Sequence, residues 1–69
     1  MNLDGLALSD DARRVLECRL ENPLARPRDI GIALRITPQE YEAAQLELYE
    51  AGVRGVIAGR HGVSILWAG

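Results

Sequence analysis

The apolar positions change period along this chain. From residue 12 they recur in steps of three and four, so that Ala12, Val15, Leu16 and Leu20 share one side of a helix. Ser9 stands before that run as an N-cap, and Asp10 and Asp11 face the positive end of the helix dipole. The helix ends near Glu21, because Pro23 pushes Asn22 out of the α region. Leu24, Ala25 and Arg26 read as a short extended piece. Pro27 then fits the first position of a second helix, where its missing N–H is no loss. Ile30, Ala33 and Leu34 form the inner face of that helix, and Gly31 weakens it by about 1 kcal/mol relative to alanine. Arg35 and Ile36 make the turn. Thr37-Pro38-Gln39-Glu40 is a capping box with proline at the first helical position. It opens a third helix that is expected to bury Tyr41, Ala44, Leu48 and Ala51 and to stop at Gly52.

Beyond Gly52 the period drops to two. Residues 53–58 and 63–68 are expected as strands, joined by the turn Gly59-Arg60-His61-Gly62. Val63, Ile65 and Trp67 face one way, Ser64 and Leu66 the other. Residues 1–8 form a lead-in whose Leu3, Leu6 and Leu8 fold back onto the body or onto a partner. Residues 9–69 make one domain, mainly α with a small β part.

Size qualifies this picture. A chain of 69 residues supports one domain, and a domain of that order buries only about 60% of its unfolded surface. There is no Phe, and the aromatics are Trp67, Tyr41 and Tyr49, so the core is aliphatic. Homodimer formation is a natural supplement to so small a core. A single cysteine, Cys18, excludes an intramolecular disulfide and points to a cytoplasmic protein. The acidic N-terminus does not read as a signal peptide, and no stretch approaches the ~20 apolar residues of a membrane span.

The formal charge is −2, from eight Arg and ten acids, and its distribution is uneven. Residues 37–53 hold Glu40, Glu42, Glu47 and Glu50 and no cation. From residue 51 onward there are Arg54, Arg60 and His61 and no acid.

The order helix, extended piece, helix, turn, helix, hairpin resembles the winged helix-turn-helix family over about residues 9–68. The likeness is carried by Pro27-Arg28-Asp29-Ile30 opening the second helix and Thr37-Pro38-Gln39-Glu40 opening the third. Leu48-Tyr49-Glu50-Ala51-Gly52-Val53 leads into a wing running from Val56 to Trp67. The resemblance implies a three-helix fold with a C-terminal β-hairpin wing and, for its DNA-binding members, transcription regulation. Carried over by position, it implies DNA contacts at Arg26 and Arg28, at Thr37 and Gln39, and at Arg60 and His61 on the wing tip. Gln39 would then read adenine through paired hydrogen bonds, and Arg60 would enter a minor groove.

The residues themselves leave a second reading open. With Tyr41, Ala44 and Leu48 inside, the outward side of the third helix shows Gln39, Ala43, Leu46, Glu47 and Glu50. Its carboxylates repel phosphate. Glu42, Ala43, Leu46 and Glu50 suit a protein-interaction face instead. DNA binding stands first and protein binding second. Enzyme activity is not expected: the one His has no nucleophile in a defined motif, and the glutamates of the third helix have no apolar pocket to raise a pKa. No cofactor is implied. His61 and Cys18 are too few for a zinc site, which needs three or four ligands. Arg19 lies inside the apolar arc of the first helix and must reach the rim or find a carboxylate.

Overall fold

The computed structural model describes residues 7–69. The expected contributions of Leu3 and Leu6 fall outside that range. Three helices, α1 (Asp10–Glu21), α2 (Pro27–Leu34) and α3 (Pro38–Glu50), are followed by the strands β1 (Val53–Gly59) and β2 (Gly62–Trp67). The strands pair as an antiparallel hairpin. The expected layout of three helices and a small C-terminal sheet is the one observed.

Each helix begins where its cap dictates. The Ser9 hydroxyl accepts from the Ala12 N–H at 3.2 Å. Glu47 of α3 adds a bond from far along the chain, its carboxylate accepting from the Ser9 N–H at 2.7 Å. At α2, arginine offers no acceptor, so the cap is one-sided: the Asp29 carboxylate accepts from the Arg26 N–H at 3.2 Å. At α3 the capping box is complete. Glu40 accepts from the Thr37 N–H at 2.9 Å, and Thr37 accepts from the Glu40 N–H at 3.1 Å.

α2 ends in a left-handed turn at Arg35 (φ 57°, ψ 45°). The Ile36 N–H bonds to Gly31 O at 3.0 Å and the Arg35 N–H to Ile32 O at 3.3 Å, the pair of bonds that defines a Schellman motif. Glycine usually holds that position, because a Cβ there costs roughly 1–2 kcal/mol. Arg35→Gly is therefore expected to stabilise the domain by about 0.5–1 kcal/mol, net of the entropy that glycine adds to the unfolded chain. A shift of the urea midpoint upward at unchanged m-value checks this, and an unchanged or lower midpoint refutes it.

The core is Ala12, Val15 and Leu16 from α1, Ile30 from α2, Tyr41, Ala44 and Leu48 from α3, and Val53 from β1. Leu8, Leu20, Leu34, Val56, Ile65 and Trp67 pack around it, half-buried. Two expected core residues lie outside. Ala51 is exposed because α3 has already ended at Glu50, and Val53 fills the place at the core instead. Ala33 is exposed because the short α2 packs through Ile30, and its methyl only lines an open cleft beside Cys18 and Leu24.

The hairpin carries one irregularity. Val53 pairs with Trp67 and Gly55 with Leu66, which leaves Arg54 as an extra residue in β1. Such a bulge shifts the alternation by one. Val53 and Val56 both turn inward as a result, opposite Trp67 and Ile65. The Arg54 guanidinium folds back 3.7 Å over the Tyr49 ring and donates to Tyr49 O at the end of α3. This contact pins the hairpin base to the helix C-terminus, where a cation is favourable. Positive φ in the turn is confined to Gly62.

Candidate functional site

Every residue nominated for DNA contact is exposed: Arg26, Arg28, Thr37, Gln39, Arg60 and His61. They occupy three places. Arg26 and Arg28 flank Pro27 at the start of α2. Thr37 and Gln39 flank Pro38 at the start of α3. Arg60 and His61 form the β1–β2 turn, at the far end of the hairpin from the Val53–Trp67 pair that meets the core. At about 3.3 Å per residue, the strands set that turn roughly 20 Å from the hairpin base.

The first two places adjoin one groove of about 540 Å³, lined by Pro27, Arg28, Gly31, Ile32, Ile36, Pro38, Tyr41 and Glu42. Its floor is apolar, and Ile32 is 67% exposed. The structure thus brings Arg28, a nominated DNA contact, to the same groove as Glu42, a nominated protein contact. Ala43, Leu46 and Glu50 lie further along the exposed face of α3, with Leu46 59% exposed. Among the described residues no group of His, Cys, Asp and Glu is placed to hold a metal ion, and no helix is long and apolar enough to cross a membrane.

The arginines divide by what they already touch. Arg14 donates to Leu34 O at 3.0 Å and sits 3.8 Å from Asp11. Arg19 donates to the Gln45 side-chain oxygen at 3.0 Å. It finds an amide rather than a carboxylate, because α1 packs on the stretch of α3 where position 45 is glutamine. Arg54 is held by Tyr49, and Arg13 is half-buried. Arg26, Arg28, Arg35 and Arg60 are exposed, and their side chains make no hydrogen bond or ion pair among the described residues.

The acids of α3 divide in the same way. Glu40 closes the capping box, and Glu47 is half-buried and caps Ser9. The outward position expected for Glu47 is thus corrected: the start of α1 lies against α3 there. Glu42 and Glu50 remain as exposed carboxylates with no such partner among the described residues.

Among the described residues Glu40 and Tyr41 are shifted from their ordinary values. The Thr37 N–H, and after it the Thr37 hydroxyl, hold the Glu40 carboxyl low. Burial pushes the Tyr41 phenol up, against Arg19 and Gln45, which pull it down. For Glu40 the sign is that of a depressed acid. Its contribution to stability is complete above the unfolded value near 4.5 and is lost as pH falls through the lower folded value. Thr37→Ala is expected to cost about 1 kcal/mol at pH 7. Glu40→Gln should fall less in stability between pH 5 and pH 3 than the parent does. Urea melts at both pH values test this, and parallel losses in the two proteins would refute it.

Compared with family models, with curated proteins and with solved structures, the chain has no match.

Sequence reasoning missed the Glu47–Ser9, Arg19–Gln45 and Arg54–Tyr49 contacts, which decide which charges are available to a ligand. The first two join residues far apart in the chain and leave no local mark. Arg54 carried a signal in principle, since a cation just past a helix C-terminus has carbonyl oxygens within reach.

Proposed function

We propose that this chain is a winged helix-turn-helix domain that binds duplex DNA, as a small cytoplasmic transcriptional regulator. One observation carries the reading: Arg26, Arg28 and Arg60, three of the four exposed arginines with no side-chain partner among the described residues, stand at the start of α2 and on the hairpin tip. Uncommitted guanidinium groups at separated points suit a phosphate backbone, which binds through charge and forked hydrogen bonds. Gln39, exposed in the first turn of α3, is the base reader, with an amide matched to adenine. Thr37 keeps its cap and lies beside it. His61 adds a donor at the tip. Glu40 and Glu47 are tied to Thr37 and Ser9 but keep their negative charge, so phosphate contacts by the arginines dominate and α3 meets DNA only through Gln39 in its first turn.

A second reading has its own support. The exposed face of α3 holds Glu42, Ala43, Leu46 and Glu50 without a cation, and a largely exposed leucine between two free carboxylates suits a protein partner. The deciding experiment is an amide chemical-shift titration with a generic duplex of ~20 base pairs at two salt concentrations. DNA binding predicts shifts around Arg28, Gln39 and Arg60 that weaken as salt rises. A folded spectrum with no shifts at low salt discards it in favour of the protein partner.

A further inference from the structure

The two outer edges of the hairpin differ in charge and in protection. In an antiparallel ladder, every second residue of an outer strand turns its N–H and C=O away from its neighbour. Among the described residues β2 pairs with β1 alone. The extended piece expected at Leu24–Arg26 does not cover it: Ala25 bonds instead to Asn22 O at 3.0 Å, and Leu24 is 91% exposed. The further backbone bond of this stretch, Ala68 N–H to Gly52 O at 2.7 Å, runs to the β1 side. Proteins blunt such edges with lysine, proline, a bulge or a covering element. From Gly62 to Gly69 there is no ionisable residue and no proline, and the bulge lies in β1. Val63, Ser64 and Leu66 are exposed, and Leu66 and Ile57 leave an apolar outer face.

We propose that the β2 edge pairs antiparallel with β2 of a second copy, giving a four-stranded sheet in the order β1-β2-β2-β1. The occupant follows from charge. A strand laid antiparallel on itself forms a two-fold interface, and a neutral strand brings no like charges opposite one another. The β1 edge lacks this property. There the bulge at Arg54 breaks the regular ladder, and pairing would disturb the seat of Arg54 on Tyr49. Assembly therefore closes at two copies. Val63 and Ile65 of the two hairpins extend one another's inner face, and each core gains cover that so short a chain lacks. This inference rests on the fold and the edge, not on DNA binding.

Sedimentation of the full chain from about 10 µM to about 1 mM tests it, the range over which a small interface associates. The expected result is a rise from 7.6 kDa to twice that mass. Ser64→Lys and Leu66→Lys, both on the exposed face, should weaken association at least tenfold while helical circular dichroism is unchanged. In a mixed labelled and unlabelled sample of the parent chain, interchain proton contacts should join β2 to β2. Should the lysine variants fail to fold, this measurement still decides. A monomer throughout the range, lysine variants that associate as tightly as the parent, species larger than a dimer, or interchain contacts centred on Ile32 would each overturn the proposal.

Discussion

Leu16→Ala is expected to be the most destabilising single truncation in this protein, removing about 2–5 kcal/mol. Leu16 is completely buried, and among the described residues the enclosed core is eight residues. Truncating a buried leucine to alanine removes its transfer free energy and leaves a cavity, together about 2–5 kcal/mol. Domains have roughly 0.05–0.15 kcal/mol of stability per residue, so a chain of this length holds about 3–10 kcal/mol. The loss is of the same order as the whole. Collapse of the surroundings cannot recover much, because Ala12, Ala44 and Val15 beside it are short. Leu16→Met keeps the volume and is expected to lose less than about 1.5 kcal/mol. Urea melts of the three proteins followed by circular dichroism provide the check. A Leu16→Ala midpoint within the range of Leu16→Met would show that the core described above is not what holds the domain together.

The helices were legible because each carries its own boundary signals. Ser9 and Thr37 cap, Pro27 and Pro38 open, and Asn22-Pro23 and Gly52 close; the observed helices begin at those residues, and α1 and α3 end within two residues of Asn22 and Gly52. The strands were legible within a residue, as Val53–Gly59 and Gly62–Trp67. Alanine was the weak letter. A methyl group fits a core or a surface, so periodicity placed Ala33 and Ala51 inside when the short α2 and the early end of α3 leave them out. The bulge at Arg54 was hidden for a different reason: alternation reads one strand at a time, and an extra residue shows only against its partner. The exposed positions of the nominated site residues could be inferred from periodicity, since they lie off the apolar arcs. Which charges were free could not, because that depends on Gln45, Ser9 and Tyr49 lying where the fold brings them.

The double substitution Arg28→Ala with Arg60→Ala is expected to weaken duplex binding roughly a hundredfold, taking about 1.5 kcal/mol for each charge-assisted bond to phosphate. Both residues are exposed and make no side-chain bond among the described residues, so the fold should be untouched. Salt dependence separates this cause from any other. Each lost phosphate contact removes about 0.9 from the slope of log K against log salt, so the double variant should be shallower by nearly 2. The loss should also be uniform across duplex sequences, whereas Gln39→Ala should bear on sequences with adenine at one position. Leu46→Asp is the counterpart. Leu46 is 59% exposed, so this change is also tolerated by the fold. If α3 approaches DNA only by its first turn, Leu46→Asp leaves duplex affinity within about twofold, since a charge beyond a Debye length is largely screened. A large loss would mean that α3 lies deep in the groove. If the arginine pair is silent and Leu46→Asp instead abolishes capture of a protein partner, the second reading is correct. In that case the free arginines serve solubility, and the carboxylates flanking Leu46 serve recognition.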